Sequence, residues 1–292
     1  MLLPKFEFHE PATLLEVCEM MAQYGEDARP LAGGTDLIVN MKKKILNPKQ
    51  LISLGRIADF HTLASDNGEL VIGAGCTVAV LADSEEVSKK ASALSIGAKS
   101  LGTPLIRNLA TIGGNIGSAR PAADLPPSLI AYGASAVLMS TGGERTLPVE
   151  KVITGPGLTV LKSDEIMTAI HVPVPGENAG AGYIQLGVRK AQDCNLVNVA
   201  SFISLDDDGT IASAKIVMGS VGPTPIRAES AEKMLVGEKP NDSLFVKAGD
   251  AASADSRPIF DFRGSAEYRR DMAGVLTQRT LAIAWREIQN RF

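Results

Sequence analysis

The sequence predicts an α+β chain of three successive units, and three features of residue order predict it. Strand and helix patterns alternate through residues 1–58. A second set of strands and helices flanks a stretch rich in small residues within 59–175. Residues 176–292 read as three strands followed only by helices.

In the first unit, Phe6 and Phe8 alternate as a strand, and Pro11 precedes Leu14, Leu15, Cys18 and Met21 at helical spacing. Residues 29–32 form a second expected strand, 37–41 a short helix and 51–54 a third strand. The second unit offers strands at 69–73, 136–139 and 165–172 and one helix over 85–101. Residues 102–127 are dense in Gly, Pro and Asn, and irregular segments of that length are often functional. The uncharged run 125–143 is interrupted by Pro126, Pro127, Gly133, Gly142 and Gly143. It therefore reads as a buried helix and a strand, with no membrane span. Pro173, Pro175 and Gly176 open a linker. Strands are expected at 182–188, 197–205 and 211–218, with Asp206-Asp207-Asp208-Gly209 as the turn between the last two. Helices at 228–235 and 243–254 precede a long closing one, in which Met272, Val275, Leu276, Leu281, Ala284, Trp285 and Ile288 share a face.

Composition excludes several classes. With 29 basic against 33 acidic side chains the net charge is −4, which excludes a basic nucleic-acid binder. Aromatics at 4% leave no base-stacking platform. Cys18, Cys76 and Cys194 contain no CxxC pair, so neither a zinc site nor a cysteine-ligated cluster is encoded, and no metal ligands are assigned. The opening residues lack a signal-peptide core, and a reducing cytoplasmic location fits.

Two glycine clusters carry the chemistry. The first is Ala32-Gly33-Gly34-Thr35-Asp36, followed by Leu37. The second is Thr111-Ile112-Gly113-Gly114-Asn115, continuing through Ser118 to Asp124. Paired glycines leave no Cβ to block a ligand, and consecutive N–H groups can line an anion-binding concavity. Thr35, Thr111, Asn115 and Ser118 add neutral hydrogen-bonding groups. Together the clusters can clamp a pyrophosphate from two sides, with Asp124 accepting from ribose hydroxyls. A single Gly-Gly pair reads as an ordinary turn; it is the repetition that points to a ligand. Gly73-Ala74-Gly75 does not continue into a dinucleotide fingerprint, because Val78 stands where the third glycine belongs.

These clusters and their surroundings resemble the flavin-binding subunit of the molybdenum hydroxylases, the xanthine dehydrogenase and aerobic carbon monoxide dehydrogenase family. The resemblance extends over residues 29–41, 104–108 leading into 111–115, 121–129 and 161–166, Tyr183 with Arg189, residues 225–228 with Ala231 and Glu232, and 265–270. It implies an oxidoreductase subunit with a two-part FAD-binding domain of the PCMH type, like that of vanillyl-alcohol oxidase, over residues 1–58 and 59–175. A C-terminal domain like that of the CO dehydrogenase flavoprotein, with a three-stranded antiparallel sheet and helices, is implied over 176–292. One non-covalent FAD is implied, held by Ala32, Gly33, Gly34, Thr35, Asp36 and Leu37, by Thr111, Gly113, Gly114 and Asn115, and by Asp124, Leu101 and Leu161.

Residues 183–195 are implied near the isoalloxazine ring. There Gln185 stands where many relatives place Lys, offering a neutral hydrogen bond in place of a charge. The implied partners are an iron–sulfur small subunit with 2Fe-2S clusters and a large molybdopterin subunit, arranged as a dimer of heterotrimers. The resemblance implies that electrons pass from molybdenum through the clusters to the flavin and on to NAD or another acceptor. No catalytic acid, base or nucleophile is expected on this chain, and its three scattered cysteines fit a flavin-only subunit.

The remaining features read as structural. His9, His61 and His171 lie apart from the clusters, Asp206 to Asp208 form a solvated turn, and Lys42-Lys43-Lys44 end a helix. Two alternatives stay open: a self-sufficient flavin oxidase of the same fold superfamily, and a non-catalytic assembly module whose glycine loops bind a partner backbone.

Overall fold

The computed structural model describes residues 2–189 and 192–291. Its first unit runs β1 (Glu7–His9), α1 (Leu14–Tyr24), β2 (Ala28–Leu31), α2 (Leu37–Lys42) and β3 (Gln50–Ser53). The strands form a parallel sheet in the order β1-β3-β2. Thr13 caps α1 by accepting the Glu16 N–H at 3.2 Å. The helix buries Val17, Cys18 and Met21. Leu15, expected on that face, is exposed, because positions 14, 17, 18 and 21 keep the helical stripe and 15 falls outside it.

The second unit begins with β4 (Leu63–Asp66), β5 (Glu69–Gly73), α3 (Val78–Asp83), α4 (Glu85–Lys90) and α5 (Ser92–Ser100). It continues through α6 (Pro104–Arg107), α7 (Ile112–Gly117), α8 (Leu125–Tyr132), β6 (Ser135–Ser140) and β7 (Gly143–Pro148). It ends with β8 (Ile153–Gly155), β9 (Leu158–Thr159) and β10 (Ile166–Pro173). Five of these strands make an antiparallel sheet in the order β4-β5-β10-β6-β7. The hairpin β4–β5, which periodicity did not reveal, turns on Asn67 and Gly68, with φ of 48° and 81°. The helix expected over 85–101 is two helices, since Ala91 leaves helical space at φ −145°, ψ 61°. After that break α5 turns Ala93, Leu94 and Ala98 onto the core.

Residues 102–127 are not an irregular loop. Thr103 and Thr111 cap two short helices, and Pro104 occupies a first-turn position where its missing N–H is harmless. Every residue of α8 is buried, which accounts for its uncharged sequence. Among the described residues no helix is long and apolar enough to cross a membrane.

The third unit comprises β11 (Ala179–Leu186), β12 (Val197–Leu205), β13 (Ile211–Gly219), β14 (Ile226–Arg227), α9 (Glu229–Leu235), α10 (Asp242–Asp255) and α11 (Ala266–Gln289). Its antiparallel sheet has the order β11-β12-β13-β14, four strands where three were expected. The extra strand is two residues long, too short to show alternation. It is held at the edge by Glu232, which accepts from the Ile216 N–H at 2.9 Å and from Arg227 Nε at 3.1 Å.

The sheet is covered on both faces, by α5 and α8 on one side and α11 on the other. Strand β12 is accordingly buried almost continuously. Helix α11 approaches β11 so closely that a Cβ on Gly182 would lie 2.3 Å from the Thr280 carbonyl oxygen. The helix buries Ala273, Leu276, Leu281, Ala284 and Ile288, while Met272, Val275 and Trp285 of the expected face are only half-buried. One apolar core spans the first two units and takes in Ala181, Tyr183, Ala200 and Val217 of the third sheet. A second lies between that sheet and its own helices.

Candidate functional site

The two glycine clusters meet. The first follows β2 directly, and the second opens α7. A Cβ placed on Gly33 would lie 1.8 Å from the Leu109 carbonyl oxygen, so the loops are in backbone contact at this point. Gly34 holds φ at +69°, which turns the chain from β2 into α2. The second loop is pinned to the exit of β5. Ile112 N–H donates to Cys76 O at 3.0 Å, Gly113 N–H to Ala74 O at 2.9 Å and Val78 N–H to Ala110 O at 2.8 Å. A Cβ on Gly113 would sit 2.8 Å from the Ala74 oxygen. Gly33 and Gly113 are therefore small to let backbone meet backbone, which corrects the expectation that they are small for a ligand.

Both loops line one cleft of about 1280 Å³. That exceeds the ~300–1,000 Å³ of an ordinary small-molecule pocket and suits a dinucleotide. Ala32, Gly33, Gly34, Thr35, Asp36, Leu37, Leu101, Thr111, Gly113, Gly114, Asn115, Asp124 and Leu161 all contribute to its wall. Gln185 does not. It lies on β11 opposite Asn198 and is half-buried. Of residues 183–195, Lys190 and Ala191 fall outside the described residues.

The loops offer different chemistry. In the first, the backbone N–H groups of residues 33–36 have no acceptor among the described residues. In the second, the N–H groups of 112–115 are all occupied: Gly114 donates to Thr111 Oγ1 at 3.1 Å and Asn115 to Thr111 O at 2.9 Å. Of the two glycine pairs only the first keeps its backbone donors free; the second offers the Asn115 side-chain amide, whose Nδ2 has no acceptor among the described residues. Gly114 is exposed toward the cleft and bounds it as bare backbone. Four unpaired amides on a cleft wall are expensive unless an anion or water accepts from them, and they suit a diphosphate.

Residues 121–124 tie the site to the third sheet. Pro121 O accepts from the Ser220 N–H at 2.9 Å, Ala122 O from Asn195 Nδ2 at 3.1 Å and Ala123 O from Asn198 Nδ2 at 3.0 Å. Asn195 Nδ2 also donates to Asp124 Oδ1 at 2.9 Å. Burial pushes the Asp124 carboxyl up to about 6, against the lowering effect of that hydrogen bond. The buried Tyr183 hydroxyl accepts from Asn198 Nδ2 at 3.1 Å, and burial together with the nearby Asp124 carboxylate raises it as well.

The far wall holds a charged node that sequence reading missed. Arg269, fully buried, donates to Leu196 O at 2.9 Å and to Asp261 Oδ1 at 2.7 Å. Arg263 forks onto Asp261 Oδ2 at 2.7 and 3.1 Å and holds its carboxyl well below the usual range. No periodicity marks these residues, although the run Asp261-Phe262-Arg263 is visible as a charge pair. The histidines lie outside the wall: His9 bonds Gln50, His61 bonds Gly75 O and His171 bonds Glu69. Among the described residues no group of three or more His, Cys, Asp or Glu is placed to hold a metal.

The comparisons agree with this geometry. Residues 4–175 match the family model of the FAD binding domain in molybdopterin dehydrogenase, and 183–284 that of the CO dehydrogenase flavoprotein C-terminal domain. The carbon monoxide dehydrogenase medium chain of Hydrogenophaga pseudoflava is 33% identical over 285 residues, covering 98% of this chain and 99% of that one. The xanthine dehydrogenase FAD-binding subunit of Escherichia coli O157:H7 is 30% identical over 280 residues, covering 95% of each. Solved structures of the Hydrogenophaga pseudoflava carbon monoxide dehydrogenase and of quinoline 2-oxidoreductase from Pseudomonas putida 86 superpose with TM-scores of 0.94 and 0.91. Their identities are 34% and 26%, and they cover 98% and 100% of this chain and 99% of each of theirs. The chain belongs to the family of FAD-binding medium subunits of the molybdenum hydroxylases, which are oxidoreductases.

Proposed function

We propose that this chain is the electron-exit subunit of a multi-chain molybdenum hydroxylase and holds FAD non-covalently in the cleft between its glycine loops. The observation that carries this reading is the set of unpaired N–H groups of residues 33–36 on the wall of a dinucleotide-sized cleft. In it, Ala32, Gly33, Gly34, Thr35, Asp36 and Leu37 take the diphosphate. Thr111, Gly113, Gly114 and Asn115 bound the opposite side, Leu101 and Leu161 give apolar contacts, and Asp124 accepts from the adenosine side. When bound, FAD takes electrons singly from 2Fe-2S clusters on a small partner subunit and delivers a pair to NAD or another acceptor.

The residues of this chain bind, orient and shield; hydroxylation itself belongs to molybdopterin on a large partner subunit. The division into 1–58, 59–175 and 176–292, a dimer-of-heterotrimers assembly and a cytoplasmic location complete the reading. Two of the three cysteines are buried free thiols, pushed up to about 11 chiefly by burial and so kept protonated and unreactive. The test is direct. Protein purified without added cofactor and then denatured should release FAD in stoichiometric amount. Flavin-free protein that also fails to bind added FAD in equilibrium dialysis would remove the proposal.

A further inference from the structure

A cationic side chain bridges the cleft mouth. Arg120 follows the second glycine loop and reaches the first: its Nη2 lies 3.6 Å from Asp36 Oδ1 and 3.3 Å from Asn40 Oδ1. All three residues line the cleft. Arg120 and Asp36 are each about half exposed, at 49% and 50%, so their attraction is weak and exchangeable. The Asp36 side chain makes no capping bond to α2 and no other hydrogen bond among the described residues.

The backbone before Arg120 is set for this reach. Ala119 is fully buried and holds φ at +47°, a left-handed conformation that alanine avoids. Its oxygen accepts from the Gly157 N–H at 2.9 Å, which fixes the turn. Non-glycine residues persist in such conformations where the surroundings over-determine them, often at ligand sites. Among the described residues the N–H groups of 33–36 without an acceptor include that of Asp36 itself, so a guanidinium that reaches the Asp36 side chain lies on the same stretch of wall as these donors.

We infer that Arg120 is a binding clasp for the cofactor's diphosphate: its guanidinium, in reach of Asp36 and Asn40, exchanges onto the phosphate oxygens when FAD binds. The inference rests on the proposed FAD reading and adds to it a charged partner that the neutral loops alone do not supply. Guanidinium–phosphate contacts are stronger than guanidinium contacts to an exposed carboxylate side chain, because more acceptor oxygens and more charge are in reach. The exchange therefore favours the bound state.

The experiment uses the full chain stripped of flavin, with FAD affinity read by quenching of flavin fluorescence. Wild type binding FAD at all tests the function; the variants test the clasp. Arg120→Gln should weaken FAD roughly tenfold, mostly through faster release, with Arg120→Lys intermediate. ADP-ribose, which carries the diphosphate without the ring and is read by its competition with FAD, should lose the same factor, and riboflavin, which lacks phosphate, should lose nothing. The gap between wild type and Arg120→Gln should narrow as salt is raised. Wild type binding FAD while Arg120→Gln matches it within twofold would overturn the clasp and leave the FAD reading standing. An equal loss for riboflavin would overturn it too, by showing that Arg120 acts only through the shape of the cleft.

Discussion

Replacing Gly33 with alanine tests whether the two loops really touch. The new Cβ would stand 1.8 Å from the Leu109 carbonyl oxygen, 2.5 Å from its carbon and 3.1 Å from the Ala110 nitrogen. These are backbone atoms, and none can rotate aside. To restore van der Waals contact the loops must part by about 1.5 Å, and overpacking of this kind costs about 3 kcal/mol, the upper part of its usual range. Gly114→Ala is the matched control. Its Cβ would meet only Thr111 Oγ1, at 2.8 Å, a hydroxyl that can turn away. Losing that cap costs about 1 kcal/mol and replacing a helical glycine returns a similar amount, so the net change is near zero. Urea unfolding of the flavin-free chain, followed by circular dichroism, measures both. Gly33→Ala should be less stable than Gly114→Ala by about 3 kcal/mol and should bind FAD poorly, because the N–H groups of 33–36 move with it. Stabilities for Gly33→Ala and wild type that agree within about 0.5 kcal/mol would refute the loop contact on which the site is built.

Two further substitutions probe the walls on either side of the junction between the second and third units. Asp124 is held at about 6 in the fold against an ordinary 3.8, so the folded state binds the extra proton between those values. Its favourable contribution is complete below about 3.8 and is lost as pH rises through about 6, an amplitude of up to about 3 kcal/mol. Asp124→Asn should therefore be more stable than wild type at pH 8, with the gap shrinking below pH 6; a gap independent of pH contradicts the burial argument. Arg269→Met leaves the Leu196 and Ser220 carbonyls and one Asp261 oxygen without their buried donor. It should cost about 3 kcal/mol, and an unchanged unfolding midpoint would show that the node carries no stability.

Much of the fold was legible because periodicity reports burial directly. Strands at 69–73 and 197–205 coincide with β5 and β12, whose flanking turns carry strong signals. The misses share a cause. Helices α6 and α7 are four and six residues long, below the length at which an apolar stripe repeats, so their glycines, prolines and threonines read as loop. The caps at Thr103 and Thr111 were the available signal. The ties between the segment 121–124 and the third sheet had no such signal, because they join Asn195, Asn198 and Ser220 to carbonyls more than 70 positions away.

The two small-residue loops that line the cleft were visible in the sequence. Small residues, neutral donors and a lone acid recur in two clusters, and local composition is enough to mark them. What the glycines are for was not. Hydrogen-bond saturation depends on which strand lies alongside, so only the assembled fold could show that residues 112–115 spend their amides on β5's exit and Thr111 while 33–36 keep theirs free. The same holds for Arg120 and Asp36, 84 positions apart in sequence and 3.6 Å apart in space. Local patterns reach a few residues along a chain; a binding site is fixed by distances that only packing sets.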